Sequence, residues 1–327
     1  MYYLFSILAL LSWSGSDFFS KKGTREQDKN SHWKVVFWVG LIMGIHFFLT
    51  LIGGAVINGT VGVEGVPKIV ASFLYTDFKL IDFVNYLPVA AIYILAMVFG
   101  YIGLRYIELS ISSPICNSSG ALAFVLCYLL GIYKIRNEKG ELTFDALTII
   151  GVVMVAVGII ALGFIDQRED PEVKKARQEM ANRKYTKSIL AFLLPITYLI
   201  IDALGTVGDE YISETGAFEI TDYAANSAFE LTFFLLAIFA FIWIKFVKKD
   251  IIIKGNKDLA FGGICETIGQ VFYMAVMFSD FSVGMVIISA YCAISVLWSR
   301  IFLKEKLSWK HYAVIAMVIG GIIILGD

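Results

Sequence analysis

Apolar residues along this chain come in long runs, and the charged residues sit mostly in the breaks between them. Strand alternation does not describe the runs, and neither does the one-sided stripe of a soluble helix. A helix needs roughly 20 mostly apolar residues to cross the hydrocarbon of a bilayer. Ten segments qualify or nearly do: Tyr2–Phe19, Val35–Ile57, Phe83–Leu104, Ile111–Ile132, Ala146–Ile165, Ser188–Val207, Tyr223–Ile244, Leu259–Phe278, Phe281–Leu303 and Trp309–Leu325. Most links between them are short, which predicts a compact antiparallel bundle without a soluble domain. Two links are longer: Asn58 to Asp82, with room for a short surface helix, and the charged stretch 166–187.

The pattern repeats. Gly158-Ile159-Ile160-Ala161-Leu162-Gly163 recurs as Gly321-Ile322-Ile323-Ile324-Leu325-Gly326, and Glu141-Leu142-Thr143-Phe144 is echoed by Lys306-Leu307-Ser308-Trp309. The spacing is close to half the chain, so the fold expected is an all-α integral membrane protein of two five-helix halves, 1–165 and 188–327, joined by a charged cytoplasmic linker at 166–187. Five crossings per half oblige the second half to enter from the opposite side, giving an inverted repeat with a site at the interface of the halves.

Composition agrees: 58% of the residues are hydrophobic and the mean hydropathy is +0.75, far above a soluble domain. The net charge of -1 argues against a chain built to grip nucleic acid, so the placement of charge carries the information. Of the 27 Lys and Arg residues, 22 fall in or beside the links after the first, third, fifth, seventh and ninth spans. The positive-inside rule makes those links cytoplasmic and both termini extracytoplasmic in a multi-pass protein of the cell membrane. Asp209, Glu210, Glu214, Glu219 and Asp222 then gather on the outer face. The first apolar run has its basic residues, Lys21, Lys22 and Arg25, behind it, the reverse of a cleavable signal peptide.

The chain resembles the drug/metabolite transporter superfamily in its ten-helix, EamA-like form. Trp13-Ser14-Gly15, Ser113-Pro114-Ile115 and the stretch Arg300 to Leu307 leading into a Gly-rich last helix carry the resemblance. It implies alternating access between two halves and substrates ranging over amino acids, amines, nucleotide sugars and other metabolites. Val283-Gly284-Met285 departs from the pattern, standing where the fourth span has Ser-Pro.

Ionisable groups inside a span cost about 2.5 to 3.5 kcal/mol each on insertion scales, which makes them functional candidates. Asp17, Asp202, Glu230 and Glu266 are such groups, and each has a polar or aromatic companion one helical turn away: Trp13, Tyr198, Asn226 and Gln270. These eight are the candidate substrate-binding residues. Trp13–Asp17 and Tyr198–Asp202 are the same motif in the first helix of each half. An aromatic face beside a carboxylate holds an ammonium group. A buried carboxylate can also carry a proton, and Glu230 and Glu266 are the candidates for coupling to a proton or Na+ gradient. His46 reads as a packing group, the four cysteines as core, and Tyr101, Tyr273, Tyr291 and Trp298 as possible cavity walls or lipid-interface residues. The Gly40 to Gly44 spacing fits close helix contact.

No HExxH spacing or phosphate-cradling Gly-Lys loop is present, so no cofactor, metal hydrolysis or ATP-driven step is expected. The function expected is secondary transport, not enzymatic, of a small cationic or zwitterionic metabolite such as an amine or amino acid. The alternatives are a flippase or scramblase for a lipid-linked group, and a carrier of an anionic metabolite such as a nucleotide sugar. The latter would need Lys or Arg in the cavity.

Overall fold

The computed structural model of the protein describes residues 2–25, 28–136, 140, 142, 144–169, 172, 189–251, 256–277, 288 and 290–326. Its regular structure there is helical: α1 Tyr2–Gly23, α2 Ser31–Thr60, α3 Lys68–Leu74, α4 Leu80–Gly103, α5 Leu109–Cys116, α6 Ser119–Leu129, α7 Ala146–Arg168, α8 Ile189–Thr215, α9 Asp222–Ile242, α10 Lys257–Met277, α11 Tyr291–Phe302 and α12 Trp309–Gly326. Among the described residues, seven helical segments are long and apolar enough to cross a membrane: α2, α4, α5 with α6, α7, α8, α9 and α10. The chain is an all-helical membrane protein. α11 and α12 are shorter apolar helices. The start of the ninth predicted span, with Val283-Gly284-Met285, lies outside the described residues. So do Glu141 and Thr143 of the repeat echo and most of the 166–187 linker.

One difference from the sequence expectation is in the fourth span, read as one helix over Ile111–Ile132 and found as α5 and α6 with a break at Asn117–Ser118. Pro114 lies inside α5 and disturbs the turn before it, whereas at the break the Ser118 amide turns to the Ile115 carbonyl and leaves that of Pro114. Side chains then serve the loosened backbone: Ser118 Oγ donates to the Pro114 carbonyl at 2.7 Å, and Asn117 Nδ2 donates to the Ser113 carbonyl at 3.1 Å. The Asn58–Asp82 link holds the short helix for which it had room: α3 lies back against α2. A Cβ at Gly53 would collide with the carbonyl of Leu74, so glycine there lets the end of α3 touch the α2 backbone. Gly40 does the same where α2 meets the Phe233 carbonyl of α9, the close contact its spacing predicts.

The most extensive helix contacts are α1 with α10, α2 with α9, α4 with α8, and α7 with α12. In each pair one helix comes from residues before the 166–187 linker and the other from residues after it, so the interior is formed between the two sequence halves rather than within each. Phe233, Met43, Val35 and Leu259 centre the largest apolar cluster. At one end of the α2–α9 pair, Lys34 bridges Asp28 at 2.7 Å and Asp250 at 2.9 Å, and Asn30 donates to Asp250 at 3.0 Å. These bonds hold the Asp250 carboxyl below the ordinary range, with Asn30 and Lys34 as the main causes.

Candidate functional site

Between the halves lies a cavity of about 460 Å³, within the usual size range for small-molecule sites. Trp13, Asp17, Tyr198, Asp202, Asn226, Glu266 and Gln270 line it, so all but one of the candidates drawn from the sequence meet there. The exception is Glu230. It is fully buried behind the wall, its carboxylate against His46 Nδ1 at 2.8 and 3.0 Å, and it reaches the cavity only through Asn226, whose Nδ2 donates to it at 3.2 Å. His46, read as packing, is thus a polar partner, and its Nε2 lies 3.1 Å from the Phe73 carbonyl of α3.

α1 carries Asp17 and α8 carries Asp202, and the broken α5/α6 span touches both. Ser113 Oγ of α5 donates to Asp17 Oδ2 at 2.6 Å, while Ser119 Oγ of α6 donates to Asp202 Oδ2 at 2.6 Å. Ser295 of α11 gives Asp17 a second hydroxyl at 2.8 Å. Each carboxylate therefore takes a hydroxyl from a helix of the opposite sequence half. A straight fourth helix would carry Ser113 and Ser119 about 600° of rotation apart, off a common face; the break relaxes that constraint. Ser16 hydrogen-bonds Glu266 across the α1–α10 contact.

Trp13 packs on Tyr273 and Tyr291, ring centres 5.4 and 5.8 Å away, and all three line the cavity together with Tyr86, Tyr93, Tyr101 and Tyr198. Trp298 does not, because it turns edge-on against Phe18 at 5.9 Å. Four polar atoms of lining residues are buried without a hydrogen-bond partner among the described residues: Trp13 Nε1, Ser20 Oγ, Tyr101 OH and Asn226 Oδ1. The cysteines are free, and Cys116 is the one that reaches the lining.

Asp209, Glu210 and Asp222 also line the cavity, and Asp222 is exposed, so that end communicates with solvent. Tyr86 OH donates to Asp209 Oδ1 at 2.8 Å. At the other end Ser20, Leu104 and Leu109 are buried. Six carboxylates thus line the cavity, and among its lining residues there is no Lys, Arg or His. The cations nearest its buried end are turned elsewhere. Lys21 Nζ donates to the Leu104 carbonyl at 2.5 Å and to that of Ile107, Arg105 lies over the Tyr106 ring, and Arg300 lies over Tyr312. Across the same end Glu305, in the link before α12, accepts from Ser110 N and Ser110 Oγ at 3.1 Å and caps α5.

Asp17, Asp202 and Glu266 were conspicuous as acids inside apolar runs. Ser113, Ser119, Ser295 and Tyr86 were not singled out for the site; the one sequence hint was the density of serines in the fourth span, Ser112, Ser113, Ser118 and Ser119, where apolar residues were due.

Residues 220–326, which hold α9 to α12, match the EamA-like transporter family. Over that stretch the chain is similar to EamA-like transporters. That match supports membership of the drug/metabolite transporter superfamily, and a membrane transporter is the activity it indicates. No curated protein matches the chain. The EamA-like stretch supplies Asn226, Glu266 and Gln270 to the cavity and the Ser295 hydroxyl to Asp17, while Asp17 and Asp202 come from outside it.

Proposed function

We propose that this EamA-like chain is a secondary transporter of a small cationic or zwitterionic metabolite, such as an amine or an amino acid, driven by a gradient or by exchange. The observation that carries the reading is the lining of the cavity: six carboxylates, a set of aromatic rings and no basic side chain. In a site shielded from bulk water, several carboxylates favour a cation strongly and oppose an anion. A phosphorylated solute would ask for Arg or Lys, and Arg105 and Arg300 point to tyrosine rings instead. Tyrosine and tryptophan faces beside Asp17 and Asp202 suit an ammonium group.

The ten-span arrangement belongs to the same proposal. The halves are 1–165 and 188–327, with 166–187 as a cytoplasmic linker, both termini outside and the chain in the cell membrane. The helix pairs support an inverted repeat: exchanging the halves turns α1–α10 into α8–α4 and leaves α2–α9 and α7–α12 as they are. Asp17 and Asp202 then become mates, and so do the hydroxyls of Ser295 and Ser119 that they accept. In this orientation the acids at Asp209, Glu210 and Asp222 mark the outer mouth. The Lys21 and Glu305 contacts mark a closed cytoplasmic end, an outward-facing state in alternating access.

The test is uptake by purified protein in liposomes, offering labelled choline, putrescine, amino acids and nucleotide sugars. Saturable uptake of a cationic or zwitterionic solute, lost in Asp17→Asn or Asp202→Asn, supports the reading. Uptake of phosphorylated solutes alone, indifferent to both substitutions, overturns it.

A further inference from the structure

Behind the cavity wall the geometry of His46 and Glu230 fixes a proton count. A carbonyl oxygen only accepts, so the His46 Nε2 that lies 3.1 Å from the Phe73 carbonyl must carry a hydrogen. In a neutral ring Nδ1 is then bare. It stands 2.8 and 3.0 Å from the two carboxylate oxygens of Glu230, where a bare nitrogen and an ionised carboxylate would set lone pairs against each other. One proton must therefore lie between them, as imidazolium with carboxylate or as imidazole with carboxylic acid. Both forms are neutral as a pair. Removing the proton leaves a single negative charge on a group that is fully buried, a costly state unless a cation comes near.

We propose that the His46–Glu230 pair is a one-proton binding site coupled to the cavity, and that a cationic solute is exchanged against that proton. This rests on the transporter reading above. Asn226 is the link: it donates to Glu230 at 3.2 Å, lines the cavity, and its Oδ1 has no partner among the described residues. A cation held in the cavity makes up for the charge the pair loses with its proton, and departure of the cation returns the proton. Na+ fits less well, because it asks for a shell of oxygens and both Glu230 oxygens already face the ring nitrogen. Other titratable groups on the elements around the pair include Lys68 on α3, Asp82, Tyr86, Tyr93 and Tyr101 on α4, Asp222 and Tyr223 on α9, and Asp258, Cys265, Glu266 and Tyr273 on α10. Tyr86, Tyr93, Asp222, Glu266 and Tyr273 line the cavity, and Glu230 is the one charged group that bears on the His46 ring.

Two measurements on the full chain test this. The first is nitrogen NMR of protein carrying labelled histidine, where His46→Gln assigns one of only three histidines. The expected result is an Nε2 that stays protonated and an Nδ1 signal of a shared proton, abolished by Glu230→Gln and kept by Glu230→Asp. A His46 that titrates as an isolated ring, unaltered by Glu230→Gln, overturns the proton site. The second is accumulation of labelled choline in liposomes, since a permanently charged ion cannot follow a pH gradient as a neutral base. One-for-one exchange raises accumulation about tenfold per pH unit of inside-acid gradient, and in Glu230→Gln the ratio with and without the gradient falls to about one. Choline uptake by the unmodified protein that ignores the gradient overturns the coupling. If no cation is taken up at all, transport falls, and the NMR result decides the proton site separately.

Discussion

Asp17 and Ser295 are 278 positions apart in the sequence and their side chains are 2.8 Å apart in the fold. The bond joins the first helix to α11 near the end of the chain, across the contact between the two sequence halves. Removing either partner therefore alters how the halves meet, and removing Asp17 also alters what lines the cavity. Ser113 gives the same carboxylate its shorter bond, at 2.6 Å.

Asp17→Asn and Asp202→Asn are each expected to reduce uptake of a cationic solute by about tenfold or more, equal to about 1.4 kcal/mol of lost interaction. Neither isosteric change should unfold the protein, and circular dichroism with size-exclusion profiles checks that. Ser295→Ala leaves Asp17 one hydroxyl and is expected to have a smaller effect than Asp17→Asn in the same assay.

Lys21→Met is expected to destabilise the protein. It leaves the Leu104 and Ile107 carbonyls at the α4–α5 corner without their charged donor in a site where Lys21 is fully buried, at a cost of about 1–3 kcal/mol. Thermal unfolding in detergent should show a lower midpoint than in a control at an exposed lysine such as Lys22.

Gly40→Leu should be more disruptive than Gly40→Ala, and both destabilising, because the added carbon meets the Phe233 carbonyl of α9. Overpacking of this kind costs about 1–3 kcal/mol. Chemical denaturation curves that coincide with the unmodified protein would count against the α2–α9 contact.

The Asp250 carboxyl is held low by Asn30 and Lys34. A carboxyl whose folded value lies beneath its unfolded value adds stability that is complete above the unfolded value and is lost as pH falls through the folded one. The acid side of the stability profile, below the ordinary carboxyl value of 3.8, should thus be less steep in Asp250→Asn. At neutral pH the substitution should cost little, because Asp250 is a third exposed. Unfolding midpoints from pH 3 to 7 check the sign.

Length and hydropathy made the seven long apolar segments legible, because a bilayer core dictates about how many apolar residues each must string together. Ends were less legible. α2 runs on through Asn58, Gly59 and Thr60, since a polar residue ends an apolar run without ending a helix, and the hydroxyl of Thr60 bonds back to Val56. Asp17, Asp202, Glu266 and their neighbours were legible as cavity residues because a charge inside an apolar run needs a reason to be there. Glu230 obeyed the same logic and yet lies behind the wall. What decides its place is His46, 184 positions away on α2, and the rotation of α2 against α9 is set by glycine contacts that hydropathy does not register. The break at Asn117–Ser118 was not legible, since the apolar span read over Ile111–Ile132 continues through it; that it brings serines to two different acids depends on where α1 and α8 pass, which only the packed helices decide.

That break gives the fourth span the character of a rocker. Ser113 and Ser119 stand on either side of it and grip carboxylates that belong to opposite halves. A tilt of the α5 arm that stretches one grip moves the fulcrum of the other, so the acids are not free to let go of their hydroxyls independently. Under the proposed transport function, a solute held at one acid is thereby tied to the other through a single piece of chain.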